Sequence, residues 1–181
     1  MSRFHIAARR LRSAQALTSL SLLALLLPST VGMTASAAWN DAVRVVPGLE
    51  TSLQTQPASC GPALIATLAT WSGHSVSEAT VIAQADLSHD GVSLAEFACL
   101  ASLHALDGTW YRVEKGRLGS LPTPFVAHLH VATGGHFVAV VAQAADKVVV
   151  VDPAAGVLVG PLSSLLRGFS GRVFVLKNRP S

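Results

Sequence analysis

Gln54-Thr55-Gln56-Pro57-Ala58-Ser59-Cys60-Gly61-Pro62-Ala63 is the stretch from which the fold of this 181-residue chain is read. Cys60 follows a turn-forming Pro-Ala-Ser and opens the apolar segment Ala63 to Trp71. There, Leu64, Ile65, Leu68 and Trp71 recur at three- and four-residue spacings, the period of a helix with a buried face. Ser59 is expected as the N-cap, and Pro62 suits the first turn, where a missing N–H costs nothing. Cys60 then stands at a helix N-terminus, where the helix dipole and unpaired N–H groups favour a thiolate. Gln54, six positions upstream, carries a side-chain amide able to donate to an oxyanion. A nucleophile at a helix start with an amide donor before it suits covalent acyl transfer, provided the chain supplies a base.

Upstream of this stretch the sequence changes character. Arg3, Arg9, Arg10 and Arg12 precede the apolar run Ala16 to Leu27, and small residues lead on to Ala35-Ser36-Ala37. That order predicts a secretory signal peptide over residues 1–38, cleaved near Ala37 or Ala38. The apolar run falls short of the roughly 20 residues a spanning helix needs, although an uncleaved N-terminal anchor is the alternative reading. Export to the periplasm or the extracellular space is therefore expected, with no stable membrane insertion once the leader is gone. The whole chain holds 13 Lys+Arg against 10 Asp+Glu. Four of the arginines lie in the leader, which has no acid, so the remainder is close to neutral. The basic balance belongs to the leader, and no nucleic-acid footprint is implied.

Downstream, residues 39–53 lead into the cysteine stretch as an extended arm. Ser77 caps a second short helix reaching about Ala85, and Asp90-Gly91 marks a turn. Ser93 with Glu96 forms a capping box for a third helix, reaching about Leu106. Then the period changes. Strands are predicted over Thr109 to Val113, Phe125 to Val131, His136 to Gln143 and Lys147 to Asp152. A short strand over Val157 to Val159, a helical turn over Ser163 to Leu166 and a last strand over Arg172 to Leu176 follow. Short connections, Ala132 to Gly135 and Ala144 to Asp146, make the neighbours antiparallel. Helices first and antiparallel strands afterwards predict one α+β domain over residues 39–181.

A base is sought among the histidines. His136 follows Gly134-Gly135 and opens an apolar strand, whereas His74 and His89 lie in loops and His104 on an apolar helix. The next strand ends in Asp152-Pro153, so a hairpin returns Asp152 to the same end of the sheet as His136. The carboxylate then accepts from one ring nitrogen and leaves the other facing the cysteine. Two other readings stay open. Cys60 and Cys99 form a disulfide in an exported protein, or Cys99 packs as a small hydrophobe in its apolar helix. His128 and His130, alternating onto one strand face near His136, make a zinc pair, but no acid or cysteine stands at ligand spacing to complete it. No cofactor and no metal is expected.

Gln54, Cys60-Gly61, Pro124-Phe125-Val126-Ala127-His128, Gly135-His136-Phe137-Val138-Ala139-Val140 and Val151-Asp152-Pro153, in this order and spacing, resemble the bacteriocin-processing cysteine peptidases. These are papain-like domains usually found at the front of peptide-exporting ABC transporters, where they cut leaders after a double glycine. Gly91-Val92-Ser93-Leu94 and Phe169-Ser170-Gly171 extend the resemblance over about residues 50–176. It implies a papain-like fold, with N-terminal helices packed on a C-terminal antiparallel sheet. It also implies Cys60 as nucleophile, His136 as general base and acid, and Asp152 as the group that orients His136. Gln54 and the Cys60 N–H would form the oxyanion hole. The implied partner is a peptide or protein substrate. No transporter membrane domain and no phosphate-binding loop is read in the chain, so any transporter would be a separate partner. The expected activity is hydrolysis of a peptide bond. A papain-like acyl or peptidyl transferase is the alternative, since the Cys-Gly-Pro stretch also resembles the phytochelatin synthases. A non-catalytic peptide-binding domain is the third reading.

Overall fold

A computed structural model describes residues 44–45 and 49–177; the expected signal peptide lies outside the described residues. Helix α1 spans Cys60–Trp71, and everything from Cys60 to Ala69 is buried. A helix apolar all round belongs inside a domain, and here it is the element the others cover. Leu64, Ile65 and Leu68 are fully enclosed, each burial contributing about 2 kcal/mol. The helix starts at Cys60 itself, and Ser59 precedes it without capping it. The Ser59 hydroxyl is engaged elsewhere, as described below.

Helix α2 spans Glu78–Ile82 and ends earlier than expected; Ser77 caps it, accepting from the Thr80 N–H. Helix α3 spans Leu94–Leu103, with Ser93 accepting from the Glu96 N–H. Only half of the expected capping box forms, because the Glu96 carboxylate turns to the Asp86 N–H. Phe97, Leu100 and Ala101 are the buried stripe of α3. Cys99 falls on the opposite side of the turn and is exposed, which corrects the expectation that it packs into the core. Both cysteines are free thiols, one buried and one exposed.

Seven strands follow the order β1-β6-β5-β4-β3-β7-β2. They are β1 (Arg44–Val45), β2 (Gly108–Arg112), β3 (Phe125–Val131), β4 (Gly134–Ala144), β5 (Lys147–Asp152), β6 (Gly156–Pro161) and β7 (Phe169–Leu176). A short 3-10 helix, Lys115–Ser120, precedes β3, and α4 (Leu162–Gly168) precedes β7. Every pairing is antiparallel. The connection from β3 to β4 is tighter than expected. Only Ala132 and Thr133 form the turn, and Gly134 and Gly135 already pair with Val131 and His130. The last strand does not add to an edge but inserts between β3 and β2.

The sheet is apolar on both faces. Val126, Phe137, Ala139 and Phe174 pack with α1 and α3 on one side. Phe125, Ala127, Leu129, Val138 and Val140 pack with Leu165 of α4 and Leu118 of the 3-10 helix on the other. This double burial is why β3 and β4 read as continuous apolar runs. Among the described residues no helix is long and apolar enough to cross a membrane.

Candidate active site

The site forms where α1 begins and β4 and β5 meet. Antiparallel pairing of β4 with β5 sets Ala139 opposite Val151, which brings Asp152 to the end of the sheet carrying His136. The His136 Nε2 and Asp152 Oδ1 lie 2.8 Å apart, with the carboxyl fully buried and the ring nearly so. Asp152 Oδ1 also accepts from the Ala154 N–H at 2.8 Å, which fixes the carboxylate plane. With Nε2 committed to Asp152, the other ring nitrogen is left for Cys60, whose side chain hydrogen-bonds the ring. The sequence expectation that Cys60, His136 and Asp152 converge is met in space.

The electrostatics of His136 follow from this enclosure. Burial by itself would lower the ring's proton affinity. The hydrogen bonds to Asp152 and Cys60, with the charges behind them, more than reverse this and raise His136 from 6.5 to about 10. The imidazolium is thus the resident form near neutrality. A cation beside a thiol favours the thiolate, the nucleophilic form of cysteine.

Tight packing holds these groups in place. A Cβ on Gly61 would come within 2.6 Å of Val92 Cγ2, so a side chain here would push Val92 away from the start of α1. Phe137, next to His136, stacks on Phe97 of α3 with centroids 4.8 Å apart, and Trp110 and Phe174 complete the aromatic cluster. The strand end that carries His136 is therefore anchored to the helical layer.

Gln54 is buried beside the site, but its amide is turned inward. Its Nε2 donates to the Gln56 carbonyl at 2.9 Å and the Pro57 carbonyl at 3.0 Å, while Oε1 is buried with no partner. Two carbonyl acceptors fix which end of the amide is nitrogen. The backbone N–H of Gln54 donates to the Pro153 carbonyl at 2.8 Å, tying this loop to the strand end that bears Asp152.

Glu78 is the part of the site that sequence reasoning missed. It is buried on α2, and its two carboxylate oxygens accept from the Thr55 N–H at 2.9 and 3.1 Å. The Ser59 hydroxyl donates to it at 2.6 Å and accepts from the Gln56 N–H. One acid thus fastens both ends of the loop between Gln54 and Cys60. Nothing local signals this, since a glutamate in the first turn of a short helix is an ordinary surface residue.

His128 and His130 do lie near each other, with ring centroids 5.4 Å apart. His128 Nδ1 is bonded to Ser170 Oγ at 2.9 Å, and no group of three metal-ligating side chains occurs among the described residues.

Helices carrying a cysteine at their head, packed against an antiparallel sheet that delivers a histidine and its acid, define the papain-like class of fold. Residues 49–181 match the Peptidase C39 family, and the chain belongs to it. A double glycine motif protease from an AMS/PCAT transporter, solved with its leader peptide, is similar at a TM-score of 0.62 and 23% identity. That match covers 77% of this chain and 93% of the other. The peptidase domain of Streptococcus ComA, a bi-functional ABC transporter of a quorum sensing pathway, has a TM-score of 0.63 and 17% identity, covering 74% and 100%. The peptidase C39 like domain of a Vibrio parahaemolyticus toxin secretion ATP-binding protein has a TM-score of 0.56 and 18% identity, covering 70% and 100%. A search of curated proteins found no match.

Proposed function

We propose that this protein is an exported cysteine peptidase that hydrolyses a peptide bond through Cys60, His136 and Asp152. The observation that carries the proposal is one buried ring, His136, bonded on one side to a fully buried carboxylate and on the other to a cysteine at a helix start. In the reaction, the Cys60 thiolate adds to the scissile carbonyl and the carbonyl oxygen becomes an oxyanion. The Cys60 N–H, left unpaired by the helix in its first turn, donates to it. The Gln54 amide joins as second donor by giving up one of its loop carbonyls. His136 protonates the leaving amine, which departs and leaves a thioester. His136 then takes a proton from water, whose attack releases the acid and regenerates the thiolate. Export rests on the leader pattern of residues 1–38 and places this chemistry outside the cytoplasm.

The test is incubation of the protein with peptides that include a double-glycine junction, the kind of site named for the AMS/PCAT relative, followed by mass analysis of the products. Two products whose masses sum to the peptide plus one water are expected, and Cys60→Ala abolishes them. Turnover that survives Cys60→Ala, or no cleavage of any peptide in a diverse library, rejects the peptidase reading.

A further inference from the structure

A row of basic side chains crosses the sheet beside the catalytic histidine. The register sets Arg112 of β2 opposite Arg172 of β7, and Arg172 opposite His128 of β3. Directly opposed residues share a face with Cβ atoms about 5 Å apart, and like charges so placed destabilise the pair. Neither arginine has an ion pair among the described residues. These side chains, with His130 and Ser170, line a cavity of about 500 Å³ whose remaining wall includes Leu94 and Glu114. One acid therefore faces two guanidiniums and two imidazoles. Burial, and then the nearby His130 and His136 rings, hold His128 down at about 4, so at neutral pH it adds no charge to the pocket.

The cavity adjoins the catalytic centre. His128 stands opposite Phe137, the residue after His136. Its ring also lies against the backbone of Gly135, the residue before His136; a Cβ there would meet His128 Nε2 at 2.7 Å.

We propose that this cavity is a specificity pocket for a carboxylate of the peptide substrate, gripped by Arg112 and Arg172 with His130 as a neighbouring donor. The proposal rests on the peptidase reading for its substrate class. Guanidinium forks match carboxylates in a planar two-bond geometry, and a bound carboxylate would relieve the repulsion between the opposed arginines. Either an acidic side chain or a free C-terminus supplies such a group.

Binding, measured apart from turnover, tests this. Three pentapeptide probes are titrated into the protein near pH 7 and followed by calorimetry: acetyl-Gly-Gly-Glu-Gly-Gly-amide, the same peptide with Gln for Glu, and acetyl-pentaglycine with a free C-terminus. One carboxylate peptide is expected to bind about 10-fold more tightly than the Gln peptide, with the free-acid probe separating C-terminal from side-chain recognition. The preference should vanish in Arg172→Gln, weaken in the more exposed Arg112→Gln, and shrink at about 0.5 M salt. Far-ultraviolet circular dichroism checks that each variant is folded. Equal or undetectable binding of all three probes overturns the pocket, as does a preference that survives both substitutions. Because the readout is affinity, cleavage without a carboxylate preference removes the pocket alone, and a preference without cleavage removes the peptidase alone.

Discussion

Asp152→Ala is expected to lower the rate of peptide hydrolysis about 10³-fold or more. The carboxylate is fully buried, and its Oδ1 accepts from both His136 and Ala154. Alanine leaves the buried His136 ring N–H and the half-buried Ala154 N–H without this acceptor and frees the ring to turn away from Cys60. Asp152→Asn is a sharper probe, because it keeps an oxygen acceptor and removes only the charge. Cys-His-Asn sets work in papain-like proteases, so Asn is expected to keep most of the rate near neutrality. Its signature lies in pH. A histidine raised from 6.5 to about 10 contributes stability that is complete below pH 6.5 and is lost as pH rises through about 10. Without the Asp152 charge that window shortens from its alkaline side. Urea unfolding near pH 6 and pH 9 should therefore show a smaller loss of stability between the two in Asp152→Asn than in the wild type. The alkaline limb of activity should move to lower pH with it. A variant with an unchanged pH profile would contradict the electrostatic role assigned to Asp152.

Glu78→Ala is expected to cost about 1.5 kcal/mol of stability, read from the urea midpoint. The substitution leaves the part-buried Thr55 N–H without its acceptor and takes from the Ser59 hydroxyl the shorter of its two, the Gln56 carbonyl remaining at 3.0 Å. Catalysis should suffer beyond the stability loss, because the freed loop runs from Gln54 to Cys60. The drop should fall mainly on kcat, with KM little changed, since Glu78 acts by positioning the reacting groups. A stability change under about 0.5 kcal/mol, the size of an ordinary surface substitution, would show that Glu78 does not anchor the loop.

Local pattern carried much of this architecture. β3 and β5 begin and end where the apolar runs do, at Phe125–Val131 and Lys147–Asp152, because Gly, Pro and Ala-Asp breaks frame them. His136 and Asp152 meet because a two-strand hairpin is a short-range object, and its geometry follows from chain order. What stayed illegible was long-range. Insertion of β7 between β3 and β2 depends on contacts across the whole second half of the chain, and the basic row Arg112–Arg172–His128 exists only through that insertion. The exposure of Cys99 is not legible in the sequence because the average apolarity of α3 hides which side of the turn each residue takes. The inward turn of the Gln54 amide depends on where the Gln56 and Pro57 carbonyls lie, which the sequence does not show.

Activation of Cys60 by His136 can be tested against a control within the same chain. Cys99 is exposed and Cys60 is only 5% exposed, so access alone favours Cys99. The measurement is limited iodoacetamide labelling at about pH 6, with the modified cysteine identified by peptide mapping, in the wild type and in His136→Ala. Labelling of Cys60 ahead of Cys99 in the wild type, with the order reversed in His136→Ala, is the predicted result. Labelling of Cys99 first in both proteins would contradict it.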